Sequence, residues 1–524
     1  MKAVLVCGEK RRELEFDSGT LLSELIGRSS FDFAMPCAGK GHCGKCKVQV
    51  HGELSAQSDA EKLLLTSTEK ADGIRLACMT KAFSDVTLTL PEPTDESHRL
   101  SSFEKDAPDS AAVPAGDGFG IAVDVGTTTV AALLYSFGEG RVKATASRRN
   151  PQAVYGADVI TRITKALDGE LETLQKSILT CVSGLVAELC SQAGVRCREV
   201  ENAVITGNTA MLYLLCGVSP ASISAAPFEA DDLFGRTADA KTLSLPLSEK
   251  AQVYLPRCVS AYVGADITCA MLACGFFKKD ITGALLLTDI GTNGEIALLK
   301  DGRLICCSTA AGPAFEGAGI RFGMNASDGA IAAVRFLGGD LLSVVLGETP
   351  AKGICGSGLL DAIAGMLSGE IIDETGFLHA SPHAFEDDVR DFEGEEAFFL
   401  PRTDVAITQR DIREVQLAKS AICSGILSLF NETSTDAGHI DAFFIAGGFG
   451  NSLNTASAQK IGLIPDGLAK KARAVGNAAL AGALMLLEDI RNREISFCGA
   501  ENAETLELSS HPFFTDAYIE NMMF

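Results

Sequence analysis

Two short segments, VDVGTTT at 123–129 and TDIGTNG at 288–294, constrain this chain more than any other feature. Each ends an apolar run on an aspartate, turns through Gly-Thr and opens a second apolar run: IAVDVGTTTVAALLY and LLLTDIGTNGEIALL. One such hairpin says little, because Asp-Gly is a common turn. Two in the same setting, with Asp124 and Asp289 lying 165 positions apart, imply two related halves. Their chemistry is specific as well. A hairpin tip of Gly and Thr offers N–H and hydroxyl donors to phosphate oxygens. An aspartate beside it suits hydrated Mg²⁺, which keeps several waters and takes few carboxylates. The expected phosphate contacts are therefore Gly126, Thr127, Thr128 and Thr129 on one hairpin. On the other they are Gly291, Thr292, Asn293 and Gly294. A third motif, FFIAGGFGNS, runs a strand into Gly447, Gly448 and Gly450. Such a turn can lie flat against a purine and ribose, or serve only as a tight strand-to-helix connection.

At 524 residues the chain exceeds one ordinary core and suggests about three domains. Apolar residues at 47% suffice for burial, and 52 glycines fit many turns and close backbone approaches. Short β-rich runs alternate with helical patterns, which indicates an α/β multidomain protein. Strands are expected at 121–125, 129–136, 203–206, 284–289, 294–299 and 442–446. Helices are expected at 155–167, 171–193, 262–277, 409–430 and 476–489. Residues 2–6 and 13–16 look like the arms of a hairpin around CGEKRR, and TLLSELIGRS like a short helix. Residues 91–118, rich in Pro, Ser, Asp and Ala without apolar periodicity, read as a flexible linker. The expected domains are 1–90 and 119–524, the latter with lobes at about 119–280 and 281–500. Residues 376–403 read as an irregular acidic excursion.

The N-terminal part holds Cys37, Cys43, Cys46 and Cys78, spaced x5, x2 and x31. Four thiolates can hold a 2Fe–2S cluster, whose plant-type pattern is C-x4-C-x2-C with a distant fourth cysteine. Zinc also accepts four thiolates, although its sites usually come as two close pairs. Ala38, Gly39, Gly41 and Gly44 would let the loop backbone close around a cluster. His42 is expected to be a loop residue and Cys7 a small buried one.

The formal charge is −23, and none of it comes from the first 91 residues, where 12 Lys+Arg balance 12 Asp+Glu. The remaining 33 basic and 56 acidic residues argue against nucleic acid as a partner. No apolar run is long enough to span a membrane. Seventeen scattered cysteines point to a reducing, cytoplasmic setting.

The cysteine pattern resembles the 2Fe–2S ferredoxins, nearer the adrenodoxin-like branch than the plant one, and implies a β-grasp fold over about residues 1–90. The three glycine motifs, in this order, resemble the actin, hexokinase and heat-shock chaperone superfamily over about residues 119–500. That resemblance implies two RNase H-like lobes closing on ATP and Mg²⁺. Asp124 to Thr129 then form the first phosphate motif, Asp289 to Gly294 the second and Gly447 to Gly450 the adenosine motif. YVGADITCAMLACG and GNAALAGALMLL resemble the two connecting helices. The first carries Asp266 where the superfamily often has an acid near the attacking water. In QRDIREVQLAKSAI, Gln416 and Lys419 are candidates for adenosine contact, or ordinary surface residues.

The combination resembles the reductive activators of corrinoid proteins. Four patches add to that resemblance: NPQAVYGADVITRI, VITGNTAML, AAGPAFEGAGI and GICGSGLLDAIAGML. It implies ATP-dependent transfer of one electron from the cluster to Co(II), regenerating Co(I) for methyl transfer. The implied partners are a corrinoid protein of a methyltransferase system and an upstream electron donor, with a homodimer left open. Other readings are an activator of a radical dehydratase, a nucleotide-sensing scaffold, or a small-molecule kinase, which would leave the ferredoxin unexplained. The short segment 91–118 leaves little room for an extra middle domain.

Overall fold

A computed structural model describes residues 1–7, 10–29, 31, 46–65, 67–90, 112–156, 158–279, 281, 283–317, 319–347, 349–379, 385–447 and 453–524. Of the residues singled out above, Cys37, Ala38, Gly39, Gly41, His42, Cys43, Gly44, Gly448 and Gly450 lie outside the described residues, as do linker positions 91–111.

The N-terminal sheet has the order Lys10–Glu15, Lys2–Cys7, Val86–Thr89, Lys47–His51, Ile74–Leu76. The expected hairpin is present and longer than expected. Its register runs from Lys2 opposite Glu15 to Cys7 opposite Lys10, so Lys10, Arg11 and Arg12 belong to a strand rather than a loop. Strand Lys2–Cys7 pairs in parallel with Val86–Thr89, the central pair that a β-grasp requires. The expected helix forms at Leu22–Arg28. Its apolar positions Leu22, Leu25 and Ile26 recur at helical spacing and pack with Ala3, Leu5, Val48 and Leu88.

The rest of the chain contains two six-stranded sheets that share a five-stranded order, each with one extra edge strand, at opposite ends. The first runs Arg141–Arg149, Thr129–Ser136, Phe119–Val125, Val200–Gly207, Gln252–Leu255, Arg236–Asp239. The second runs Glu504–Thr505, Arg303–Thr309, Gly294–Lys300, Ala284–Ile290, Ile440–Ala446, Ala472–Gly476. Each contains three antiparallel strands followed by two parallel ones. The repeat read from the two hairpins therefore extends over five strands of each sheet. Helix Leu171–Ala193 covers the first sheet and Gln409–Glu432 the second, each burying one apolar face.

Two further helices are exchanged between the lobes. Ala265–Ala273 follows the first sheet in sequence, yet Ile267, Ala270 and Met271 pack with Leu287, Ala297 and Phe444 of the second. Ala478–Glu488 follows the second sheet, yet Ala483, Leu486 and Leu487 pack with Ala122, Leu133 and Val204 of the first. The helices cross at Gly482, where a Cβ would stand 1.9 Å from the carbonyl oxygen of Cys269. Only glycine permits that approach. The end of the expected linker is tied to the same place, since the Ala115 amide donates to Leu487 O at 2.9 Å and the Ile490 amide to Val113 O at 2.8 Å.

Three expected helix boundaries move inward. The segment at 155–167 becomes a helix only at Val159, capped by the Asp158 side chain. The segment at 262–277 narrows to Ala265–Ala273, and the one at 476–489 begins at Ala478 with Asn477 as its cap. The excursion at 376–403 is partly ordered, contrary to expectation. Val389–Phe392 and Glu395–Phe399 form a hairpin, extended by Ala406–Thr408. Its two-residue turn, Glu393–Gly394, has φ of 55° and 89°, the positive values that match the twist of a tight hairpin.

Candidate nucleotide and cluster sites

The first phosphate hairpin is held from behind by groups outside its own motif. Asn150 donates through Nδ2 to Gly126 O at 2.9 Å, and its backbone amide donates to Thr128 O at 2.8 Å. The guanidinium of Arg162, fully buried, donates to Thr127 O at 2.7 Å and to Gly156 O at 2.9 Å. Burial pushes this arginine down to about 10. Asn208 caps helix Thr209–Cys216 and donates to Thr127 Oγ1 at 3.1 Å. These residues come from NPQAVYGADVITRI and VITGNTAML, which sequence reasoning could only quote as resemblances. Together they hold the carbonyls of Gly126, Thr127 and Thr128 and the Thr127 hydroxyl.

The second hairpin is held by its own lobe. The Gly291 amide donates to Asn293 O at 3.1 Å, and the Gly312 amide to Thr292 O at 2.9 Å. Gly447, with φ of 105°, lies against it: a Cβ there would meet Ile290 O at 2.4 Å and Asp289 Oδ1 at 2.9 Å. The start of the expected adenosine turn thus abuts the second phosphate motif. Glu316, in the patch AAGPAFEGAGI, accepts from Thr292 Oγ1 at 2.9 Å and from Thr128 Oγ1. Sequence reasoning missed it, because its partner Thr128 lies 188 positions away.

Asp124, Asp266 and Asp289 come together between the lobes. Asp124 ends the first strand and accepts from Asn477 Nδ2 at 2.8 Å, the cap of the exchanged helix. Burial pushes its carboxyl up to about 6, against the pull of Asn477. Asp289 is pushed up to about 7 by burial, then by the charges of Asp124 and Glu316. Asp266, in the first turn of Ala265–Ala273, is pushed up to about 8 by burial and then by Asp124 and Asp289. Glu295, also missed from sequence, is raised well above its ordinary value by burial and by Asp266 and Asp289. Like charges in a desolvated cleft cannot all ionise unless cations join them. This donor set fits Mg²⁺, which prefers carboxylate oxygen and water.

Gln416 and Lys419 lie elsewhere. Both are buried, at 2% and 1% exposure, on the face of Gln409–Glu432 that receives the end of the chain. Gln416 Nε2 donates to Thr375 O at 2.9 Å and to Met522 O at 2.8 Å. Lys419 Nζ donates to Met523 O and sits 5.2 Å from the Phe524 ring centroid. Neither is the ordinary surface residue of the alternative expectation, and their donors are taken by carbonyls of Thr375 and of the C-terminal segment.

In the N-terminal domain, Cys46 and Cys78 are buried with their sulfurs 3.2 Å apart. The Ala77 amide donates to Cys46 O at 2.8 Å, which joins the two cysteine segments. The strand that delivers Cys78 is pinned by Glu61. This carboxylate takes Arg75 Nε at 2.7 Å, Arg75 Nη2 at 3.0 Å, Thr80 Oγ1 at 2.8 Å and the Leu76 amide at 3.1 Å. Two thiolates this close can share one metal, as a four-thiolate cluster site requires.

These features define a class, a 2Fe–2S domain joined to a two-lobed nucleotide machine of the actin–hexokinase type. Residues 5–83 match the 2Fe–2S iron–sulfur cluster binding domain, which supports an iron–sulfur cluster rather than zinc in this domain. Residues 119–279 match the RACo middle region, and residues 283–524 match the C-terminal domain of RACo, the ASKHA domain. The chain belongs to the RACo family, the reductive activators of corrinoid proteins. The family's middle region is thus the first lobe itself, not an extra domain in the connecting segment. A relative from Eubacterium limosum, "Corrinoid activation enzyme RamQ", is 29% identical over 98% of this chain and 97% of its own. A second from Methanosarcina barkeri, "[Co(II) methylated amine-specific corrinoid protein] reductase", is 25% identical over 76% of each. A solved structure, "Reductive activator for corrinoid,iron-sulfur protein", covers 100% of this chain and 98% of its own at 29% identity, with a TM-score of 0.72. Among the described residues no helix is long and apolar enough to cross a membrane.

Proposed function

We propose that this protein uses ATP to drive one-electron reduction of a Co(II) corrinoid protein to Co(I). The observation that carries the reading is the union, in one chain, of a thiolate pair built for a cluster and a hinged cleft whose acids converge from both lobes. When bound, the cluster supplies electrons one at a time to the cobalt substrate, and an upstream donor must replace each electron used. Cys37, Cys43, Cys46 and Cys78 would hold it, with Glu61 and Arg75 fixing the strand before Cys78. Bound Mg²⁺ neutralises phosphate charge, and Asp124 and Asp289 would hold its waters. Asp266 would orient the attacking water. The threonines of the two hairpins would donate to phosphate oxygens, and Arg162, Asn150 and Asn208 would keep those donors aimed. Gly447, Gly448 and Gly450 would bear on the adenosine.

The energy scales agree. An uphill gap of roughly 0.3 V costs about 7 kcal/mol for one electron, since ~59 mV is a tenfold change in equilibrium. Turning a two-state equilibrium from 1:99 to 99:1 takes about 5.5 kcal/mol. Lobe closure on nucleotide, transmitted through the helices that cross at Gly482, is therefore of the right size to favour the reduced product. ATP turnover then releases the tight complex with the partner.

The test is anaerobic mixing of the full chain with a Co(II) corrinoid protein, a reductant and ATP, monitored at the Co(I) absorption band. Cys46→Ala should abolish the band and leave ATP turnover intact. Asp289→Ala should abolish turnover and leave the cluster spectrum intact. Full reduction by Cys46→Ala would overturn the electron route.

A further inference from the structure

The hairpins of the two lobes meet on one side chain. Glu316 accepts from Thr128 Oγ1 through Oε2 and from Thr292 Oγ1 through Oε1, the latter at 2.9 Å. Its backbone is anchored: Ala314 and Phe315 before it are buried in the core of the second lobe. The same loop is tied to the second hairpin by the bond from the Gly312 amide to Thr292 O. The carboxylate therefore reaches from a fixed base in one lobe to the hairpin tip of the other.

Thr128 and Thr292 are also the hydroxyls that the nucleotide reading assigns to phosphate. A hydroxyl has one hydrogen to give, so neither can serve Glu316 and a phosphate oxygen together. A carboxylate resembles part of a phosphoryl group, being anionic with two acceptor oxygens on one centre. Because it is tethered, it competes at a high effective concentration.

We propose that Glu316 is a positioning residue that acts as an internal phosphate surrogate. It latches the hairpins of the two lobes together, and the phosphates of ATP displace it. The inference rests on the nucleotide reading given above. Entry of ATP replaces one cross-lobe anion with another, and loss of phosphate lets the latch re-form, which resets the cleft for the next cycle.

Calorimetry with a non-hydrolysable ATP analogue and Mg²⁺ on the full chain tests the competition. Glu316→Ala should bind the analogue about tenfold tighter than wild type, equivalent to about 1.4 kcal/mol. Glu316→Gln, which keeps one acceptor and loses the charge, should fall between them and guards against a folding defect in the alanine variant. Unchanged or weaker binding in both variants overturns the latch, since a residue that helps to hold nucleotide, or merely shapes the loop, would not tighten binding when removed. Hydrogen exchange without nucleotide is the second readout. The amides of 126–129 should exchange faster in both variants, and unchanged exchange would also overturn the proposal. If wild type binds no analogue, the nucleotide reading fails, and the exchange measurement still decides the latch.

Discussion

Glu61 in the N-terminal domain and Asp266 in the nucleotide cleft are both carboxylates enclosed by protein, and they titrate on opposite sides of the ordinary range. Burial pushes Glu61 up, but Arg75, the Ser58 and Leu76 amides and Thr80 outweigh it and hold the carboxyl down at about 2. Asp266 has a backbone amide, Ile267 N at 2.9 Å, and two aspartates as neighbours, and it is pushed up to about 8. The contrast separates two uses of a buried acid. Glu61 is saturated with donors and serves architecture, fixing the segment that presents Cys78. Asp266 is starved of donors, and a cation-bearing ligand would relieve it. Stability is given up at such a site for function.

The largest expected effect comes from removing the saturated acid. Glu61→Ala leaves Arg75 buried without its partner, and breaking a buried pair from one side costs about 3–5 kcal/mol. Denaturant unfolding of the full chain, followed through the cluster absorbance, should show that loss, with ATP turnover unchanged. A loss under about 1 kcal/mol would place Glu61 among weakly coupled surface acids and erase the contrast.

The next effect is the pH dependence of stability, which should run in opposite directions in the two regions. Glu61 has a lowered carboxyl, so its contribution is present above its unfolded value of 4.5 and is lost as pH falls toward about 2. Asp124, Asp266 and Asp289 have raised carboxyls, so the folded chain holds protons that the unfolded chain has released. Their contribution is fully present below the unfolded value of 3.8 and is lost as pH rises through about 6 for Asp124, about 7 for Asp289 and about 8 for Asp266. Each group imposes at most about 1.4 kcal/mol per pH unit over its own window. Thermal melts between pH 4 and 8 should show the nucleotide lobes weakening while the N-terminal domain holds. Saturating Mg²⁺ and ATP should flatten the slope. A flat profile without nucleotide would mean that neither burial nor mutual repulsion raises these acids.

Much of this contrast was hidden in the sequence, for reasons of range. Strands around Asp124 and Asp289 were legible because Asp-Gly-Thr between apolar runs is a local signal, and the observed strands differ from expectation by only a few residues. The second connecting helix was legible in GNAALAGALMLL, though nothing there singled out Gly482. Cys46 and Cys78 were legible by spacing. Glu316, Arg162, Asn150 and Asn208 were not, because each acts on a hairpin distant in sequence, and nothing local distinguishes a side chain that supports a hairpin from one that caps a helix. The partners of Gln416 and Lys419 were hidden for the same reason. The superfamily resemblance made these residues candidates for adenosine, but their donors are taken by carbonyls of Thr375, Met522 and Met523, which no helical pattern reveals. The acidic hairpin at 389–399 was hidden by composition, since its turn is marked only by Glu393–Gly394.

The smallest expected effect isolates Asp266. Replacing it with Asn keeps the shape and removes the charge, so its consequence depends on whether the wild-type group is forced to hold a proton. Near pH 4 the wild-type carboxyl is largely protonated when folded, and the two proteins should melt together. As pH rises toward 8 the wild type pays for keeping that proton or for ionising beside Asp124 and Asp289, and the variant does not. Asp266→Asn should therefore become the more stable protein, by about 1 kcal/mol or more, with a melting midpoint at least about 2 °C higher. ATP turnover should fall at the same time, because an amide cannot orient water by accepting its proton. Equal melting at pH 8 would mean that Asp266 finds donors it is not credited with, and the distinction between a saturated and a starved acid would then rest on Asp124 and Asp289 alone.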